Sequence, residues 1–439
     1  MKLEIKGNPN YAAIIVAISN LIPLEKCDNI QGTIIEGCHV IVSKDVKAGD
    51  IGIFFPAECS IKPVFLNANS LYREKELNHD KTKAGFFELN GRVRCMRLRG
   101  FKSDGFFMPL NSLAKFGKFD SLIALEVGTS FDTINGEPIC DKYVVATKQI
   151  QNPSKKDKKN NRVKRFDKLR EEIFRFHIDT PQLARNIEKV NKRDIISITE
   201  KLHGTSAIFS YISCNRKLSL RDRIAKRLGA YIGVNEYDYI WASRRVVKNQ
   251  YLYEDKLTHF YSEDIWKTGA DELKPFIQKD MTIYYEIVGF LKDGKQIQKD
   301  FDYGCRAGQH EKYIYRISST NIDGKVFEWS MLQIQDWCKA NGLLAVPMHY
   351  YGYAEDLFLD ITAPDDEEWR KRFLDKLIEE YLEKDCTICK NKVPAEGVCL
   401  RIESNDIEVY KLKSFAFRAK ETKDLDAGLE NIEDNQVAE

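Results

Sequence analysis

A lysine at the end of a strand and just before a glycine can act as a nucleophile. The stretch Ile195-Ile196-Ser197-Ile198-Thr199-Glu200-Lys201-Leu202-His203-Gly204-Thr205-Ser206-Ala207-Ile208-Phe209 reads as strand, glycine turn, strand, with Lys201 closing the first strand. Gly204 lets backbone approach a ligand closely, and Thr205 and Ser206 add small hydroxyl donors. Only a neutral amine attacks, so Lys201 is expected to have a depressed pKa, supplied by partial burial and nearby cations. The chemistry expected is attack of Lys201 on a nucleotide α-phosphate, after which the lysine carries the nucleotide covalently. The local pattern does not single Lys201 out. K-x-x-G occurs at Lys102, Lys201, Lys226 and Lys339, and Lys102-Ser103-Asp104-Gly105 is the better literal match to K-x-D-G.

The chain beyond Lys201 decides between them. Phosphoryl transfer needs cations on the phosphates, carboxylates for a divalent metal and a surface for the base. Thr282-Ile283-Tyr284-Tyr285-Glu286-Ile287-Val288-Gly289-Phe290 is an apolar strand pattern with one carboxylate, which is costly there unless paired or liganding. Glu396-Gly397-Val398 puts a second glutamate at the mouth of a strand. Val409-Tyr410-Lys411-Leu412-Lys413-Ser414 brings two lysines to one face at i and i+2, and Ser243-Arg244-Arg245 adds further cations. Each has a bland reading: Glu286 as a paired core carboxylate, Lys411 and Lys413 as edge-strand gatekeepers, Arg244 and Arg245 as surface charge. Their joint occurrence in this order favours the chemical reading.

The elements that must position these groups fall into two domains, as expected for 439 residues. Residues 1–147 are strand-rich, with short apolar runs at regular spacing broken by turn residues, which suggests a small OB-like β-barrel. Within it Arg92, Arg94, Arg97 and Arg99 place four guanidiniums in eight residues. They read as a nucleic-acid backbone-binding face, or equally as a charged edge strand kept from aggregating. Residues 148–173 are an exposed basic linker, either phosphate-holding or merely solubilising. From 174 to 422 strand and helix patterns alternate, giving an α+β chain. Amphipathic helices are expected over 367–381 and 327–340. Residues 423–439 are an acidic tail.

Composition bounds the function. A net charge of +2 makes any basic surface local, and no apolar run is long enough to span a membrane. The eleven scattered cysteines and the lack of an apolar leader fit reduced thiols and a cytoplasmic location. Cys386-Thr387-Ile388-Cys389 is the lone C-x-x-C, read as a loop pair with zinc the weaker alternative.

Taken together, Lys201-Leu202-His203-Gly204, Ser243-Arg244, Tyr285-Glu286-Ile287-Val288-Gly289, Tyr313-Ile314-Tyr315-Arg316-Ile317, Glu396-Gly397-Val398 and Lys411-Leu412-Lys413 resemble the successive motifs of the covalent nucleotidyltransferases, the polynucleotide ligases and mRNA capping enzymes. The chain is most similar to ATP-dependent RNA ligases of the Deinococcus type, which carry an OB-like domain before the nucleotidyltransferase domain. Residues 49–56, 98–109 and Asp179-Thr180-Pro181-Gln182-Leu183 resemble that subgroup. The resemblance implies an ATP-grasp-like catalytic domain of antiparallel sheets with flanking helices. It implies ATP with Mg2+ or Mn2+ as cofactors and RNA ends as partners, with nicked duplexes of RNA with RNA or DNA left open. It also implies roles: Lys201 as the lysyl-AMP residue, Arg244 on the nucleotide or 5′-phosphate end, Glu286 on the ribose and Tyr315 stacked on adenine. Glu396 serves the metal, Lys411 and Lys413 hold the α-phosphate, and Glu200 and Gly204 line the nucleotide site. His203 replaces the usual Asp, and Arg316 replaces an acidic residue. Two rivals remain: a GTP-using capping-type enzyme, and a non-catalytic protein of the same fold that binds nucleic-acid ends.

Overall fold

The computed structural model describes residues 1–117, 125–145, 168–248, 261–404 and 406–429. Most of the expected basic linker, and the acidic tail beyond 429, lie outside the described residues.

The N-terminal strands are β1 (Leu3–Glu4), β2 (Ala13–Ala17), β3 (Ile30–Ile35), β4 (Cys38–Ser43), β5 (Ile51–Pro56), β6 (Cys59–Ile61), β7 (Met96–Leu98), β8 (Phe101–Ser103), β9 (Gly105–Pro109), β10 (Ser130–Phe131), β11 (Thr133–Ile134), β12 (Glu137–Pro138) and β13 (Cys140–Lys142). Four form an antiparallel sheet in the order β10-β2-β5-β9. Its central strands are continuously apolar because both faces are covered. Ile15, Ile53 and Phe55 pack with Phe65, Leu66 and Phe131 on one side, and Ile14, Val16 and Phe54 pack with Val40 and Phe107 on the other. The remaining strands form two- and three-stranded ribbons, and no closed barrel forms among the described residues.

The arginine run is not one strand. Only Met96–Leu98 is extended, and Arg99 and Gly100, both at positive φ, turn it back into β8. Arg97 and Arg99 are exposed on this hairpin. Arg92 faces inward instead, with none of its side chain exposed, and pairs with Glu58 and Asp426. Arg94 pairs with Glu88 and Asp426. The expected four-arginine face is therefore corrected: Arg92 is buried and committed to carboxylates, where no phosphate can reach it.

The C-terminal strands are β14 (Ile195–Lys201), β15 (Thr205–Asn215), β16 (Asn235–Ser243), β17 (Met281–Gly289), β18 (His310–Thr320), β19 (Val326–Glu328), β20 (Leu344–Ala345), β21 (Met348–Tyr353), β22 (Gly397–Glu403) and β23 (Ile407–Lys413). They build a four-stranded antiparallel sheet, β21-β14-β22-β23, and a larger sheet, β16-β15-β17-β18-β19, with β20 parallel to β18. The helix Asp366–Tyr381 buries Trp369, Phe373 and Leu377 against Ile196, Ile198 and Leu400 of the smaller sheet, matching its helical spacing. The helices Ile265–Leu273 and Met331–Ala340 cover the larger sheet. The latter starts at a capping box of Ser330 with Gln333, so Phe327 lies in β19 rather than in the helix. Antiparallel sheets with flanking helices make the expected α+β class.

Candidate active site

The two sheets meet at the turn from β14 to β15, and strand register decides which side chains converge there. Lys201 pairs with Gly397, and Gly397 pairs with Lys413. Two residues along, Thr199 pairs with Cys399, and Cys399 with Lys411. The pleat therefore puts Lys201, Lys411 and Lys413 on one face. Gly397 holds the middle of the row at φ 143°, where a Cβ would stand 1.9 Å from the Leu412 carbonyl oxygen. Only glycine fits, and its bare backbone leaves the row open between the two lysines.

Glu396 fills that opening. Its Oε1 accepts from Lys201 Nζ at 2.7 Å and lies 3.2 Å from Lys413 Nζ, with 3% of its side chain exposed. Burial alone would raise its pKa, but Lys201, Lys413 and His203 together bring it down to about 2. Its Oε2 is buried without a hydrogen-bond partner and lies 3.8 Å from His203 Nδ1.

The expected depression of the Lys201 pKa is not what the structure shows. Burial and Lys413 push it down, but Glu396, helped by Cys399 and Glu286, outweighs them and holds it above the ordinary lysine value. The depressed amine is Lys411, lowered to about 7 by burial and by the cations Lys413, Lys201 and Arg244. Lys413 is pushed down by burial but held well above the usual range by Glu421 and Glu396. His203 sits edge-on to the Phe301 and Phe417 rings, with centroids 5.1 and 4.9 Å away. Burial lowers its pKa, so its imidazole is neutral at neutral pH.

The larger sheet supplies the opposite wall. Gly204 packs so closely on β17 that a Cβ would lie 2.3 Å from the Ile287 carbonyl oxygen. Its N–H donates to Glu286 Oε1 at 3.0 Å, and its carbonyl accepts from Gln298 Nε2 at 2.7 Å. The His203 N–H donates to the Tyr303 hydroxyl at 2.6 Å. A bulge in the β17–β18 ladder skips Tyr315, whose hydroxyl meets Ser206 Oγ at 2.9 Å and His177 Nδ1 at 3.2 Å. Arg316 lies beside it but pairs with Glu328 Oε2 at 2.9 Å and stacks over the Tyr284 ring, so its departure from the motif adds a buried ion pair.

Arg244 and Arg245 both pair with Asp179. The Asp179-Thr180-Pro181-Gln182-Leu183 segment then lies along β23, where the Lys411 N–H donates to the Pro181 carbonyl at 2.9 Å and the Leu183 N–H to that of Lys411 at 3.0 Å. Glu200 alternates away from Lys201, and its carboxylate accepts from Thr387 Oγ1 at 3.2 Å and from Cys386 Sγ at 3.6 Å. Lys102, the rival nucleophile, pairs with Glu383 at 3.2 Å and lies over the Phe415 ring, outside the lysine row.

Nothing in the sequence marks Asp179 as a holder of arginines, or marks Gln298, Tyr303 and Glu421 as neighbours of the site. Glu421 pairs with Lys413 Nζ at 3.2 Å. None of these contacts has a spacing signal, because each joins residues brought together only by the fold.

Among the described residues no group of three or more His, Cys, Asp and Glu side chains is arranged to hold a metal ion by itself. The Cys386 and Cys389 pair thus has no completed zinc set. A divalent cation at Glu396 fits the chemistry of Mg2+, which takes one or two carboxylates and completes its shell with phosphate oxygens and water. The partnerless Glu396 Oε2 is the acceptor such a shell would use.

The comparisons with known proteins bear on the family and the fold. A family model described as RNA ligase matches residues 194–415. Among curated proteins none matches the chain. Among solved structures, the Naegleria gruberi RNA ligase with PPi shares 18% identity at a TM-score of 0.57, covering 94% of this chain and 99% of that one. A variant of the same ligase with ATP and Mn shares 17% identity at a TM-score of 0.55, covering 94% and 98%. Another, with AMP and Mn, shares 18% identity at a TM-score of 0.57, covering 93% and 98%. At these identities the likeness establishes the fold.

Proposed function

This chain belongs to the RNA ligase family, and we propose that it is an ATP-dependent enzyme that joins 3′-hydroxyl and 5′-phosphate RNA ends through a lysyl-AMP intermediate. The observation that carries the reading is the row of Lys201, Glu396 and Lys413 across β14, β22 and β23. Glu396 holds Lys201 as an ammonium ion at 2.7 Å, so the amine sheds its proton to solvent or to a phosphate oxygen before its lone pair attacks, this carboxylate being too weak a base to take it. The new bond is from Lys201 Nζ to the α-phosphorus, the bond broken is from the α-phosphorus to the bridging oxygen, and diphosphate departs. Lys411 and Lys413 hold the phosphate oxygens, Glu286 the ribose and Arg244 the 5′-phosphate end, while the Tyr315 ring stacks on adenine with Gly204 lining the pocket; Glu200, its carboxylate held by Thr387 and Cys386, supports the Lys201 strand from the far face. Glu396 would hold a divalent ion, Mg2+ or Mn2+, which would supply charge neutralisation at the phosphates. AMP passes to the 5′-phosphate end, and the 3′-hydroxyl displaces it to form the phosphodiester.

The complexes of the Naegleria ligase with ATP, AMP, PPi and Mn support this sequence of states. We assign residues 1–147 to an open, OB-like RNA-holding unit of the Deinococcus-type arrangement, with Arg97 and Arg99 on its exposed hairpin. Residues 148–173 are the basic linker, 174–422 the adenylyltransferase domain and 423–439 the acidic tail. We place the enzyme in the cytoplasm, where its cysteines stay reduced.

The test is incubation with α-labelled ATP or GTP and Mg2+ or Mn2+, followed by a denaturing gel. ATP label that survives denaturation and disappears in Lys201→Ala is the expected result. Label from GTP alone points to capping chemistry, and no label with either metal leaves end binding without catalysis.

A further inference from the structure

The helix Phe415–Asp426 begins two residues after Lys413 and presents two adjacent stripes to two different bodies. Phe417 and Glu421 face the active site. Phe417 packs against His203 and under Lys413 Nζ, and Glu421 shares the Lys413 ammonium with Glu396. Arg418, Thr422 and Asp426 face the N-terminal domain. Arg418 pairs with Asp104, whose side chain is 1% exposed, and donates to Cys38 Sγ at 3.4 Å. Thr422 Oγ1 donates to Glu58 Oε1 at 2.6 Å and accepts the Cys95 N–H at 3.2 Å. Arg92 clamps Glu58 through Nε and Nη2, each at 3.0 Å, reaches the Thr422 carbonyl, and pairs with Asp426 at 2.8 Å.

A domain that only delivers RNA could dock through exposed, weakly held polar contacts. Here Arg92 and Asp104 have almost none of their side chains exposed, a burial that is costly unless the charges are paired, and the pairing ties the helix to the N-terminal strands. That helix is the one bearing Glu421.

We propose that Glu58, Arg92 and Asp104 of the N-terminal domain are positioning residues for the Lys201 step, acting through the helix Phe415–Asp426 on Glu421, Lys413 and Glu396. The N-terminal domain thereby conditions lysine adenylylation before any RNA arrives. The inference rests on the adenylyltransferase reading above. It also gives the Lys102-Ser103-Asp104-Gly105 look-alike a role, since Asp104 and Lys102 both lie at this joint.

The experiment is single-turnover labelling by α-labelled ATP without RNA, over a range of ATP concentrations, on the full chain. Thr422→Val removes both hydrogen bonds at almost unchanged volume, and Asp104→Asn removes the negative charge that faces Arg418. Each is expected to slow labelling at saturating ATP by about tenfold or more, the scale of a small misplacement of a reacting group. Thr422→Ser, which keeps the hydroxyl, is expected to restore most of the rate. Thermal melts identify a variant that has unfolded; if Asp104→Asn does so, the Thr422 pair decides. Labelling of Thr422→Val at the wild-type rate, or an equal loss in Thr422→Ser and Thr422→Val, overturns the proposal. Wild-type protein that takes no label overturns the functional reading beneath it instead.

Discussion

Lys201 and Lys411 have exchanged the protonation states that their types suggested. A nucleophilic lysine needs to be neutral, yet Glu396 keeps Lys201 charged, while Lys411 carries the amine lowered to about 7. At pH 7 about half of Lys411 is therefore neutral, and at pH 8 about nine-tenths. A bound triphosphate favours the ammonium form, so ATP binding is expected to take up roughly half a proton at pH 7 and more at pH 8. Calorimetry in buffers of different ionisation enthalpy measures this, and uptake that does not rise with pH contradicts the assignment. Glu396 offers a second check. Its depressed pKa means its contribution to stability is fully present above about 4.5 and is lost as pH falls through about 2. Glu396→Gln leaves Lys201 and Lys413 facing each other and is expected to cost about 3 kcal/mol in urea melts at pH 7. It should also flatten the acid side of the stability profile. Glu286, Lys411 and Lys413 stand out in the sequence as charged residues in apolar strand runs, whereas Lys201 and Glu396 are marked only by their order among the other motifs. Glu421 does not stand out, and Asp179 does so only within a family-like stretch with no sign of its arginine partners, because helix and loop surfaces are rich in carboxylates and nothing local marks the ones that turn inward.

At the scale of elements, the site depends on two places where backbone approaches backbone. Gly397 stands between the two lysines at positive φ, and Gly204 lies against β17. Gly397→Ala would drive a methyl group into the Leu412 carbonyl, a clash with rigid backbone rather than with a flexible side chain. The expected result is a loss of about 3 kcal/mol or more in stability, with lysyl-AMP formation falling further than the stability loss explains, because β22 and β23 must part. Circular dichroism melts and gel labelling on the same preparation test this together, and an unchanged melting temperature would contradict it. The strand-turn-strand around Lys201, the Glu286 strand and the 367–381 helix were readable from periodicity. The bulge at Tyr315 was not, because it arises from the pairing of two strands and leaves no mark in either alone.

At the scale of the whole molecule, the arginines of the N-terminal domain divide by direction. Composition showed four cations in a row but not that β7 covers only three residues and that Arg92 turns into the joint between domains. The N-terminal strands were visible as short apolar runs. Their assembly into an open sheet with ribbons was not, since closure depends on strand register across long separations. Arg92→Ala strands Glu58 in the interior and is expected to cost about 3–5 kcal/mol. Arg97→Ala, on the exposed hairpin, is expected to leave the melting temperature within a degree or so. It should weaken RNA joining and lessen its salt dependence. A large stability loss in Arg97→Ala, or none in Arg92→Ala, would reverse this division.

Lys201, at the turn between the two sheets, is the residue proposed to carry the nucleotide. Incubating the full chain with ATP and Mg2+, digesting it under conditions that preserve phosphoramidates, and locating the AMP by peptide mass spectrometry tests that role most directly. The account predicts AMP on Lys201 alone, in the peptide running through Leu202-His203-Gly204. AMP on Lys102, on Lys411 or on no lysine would contradict it.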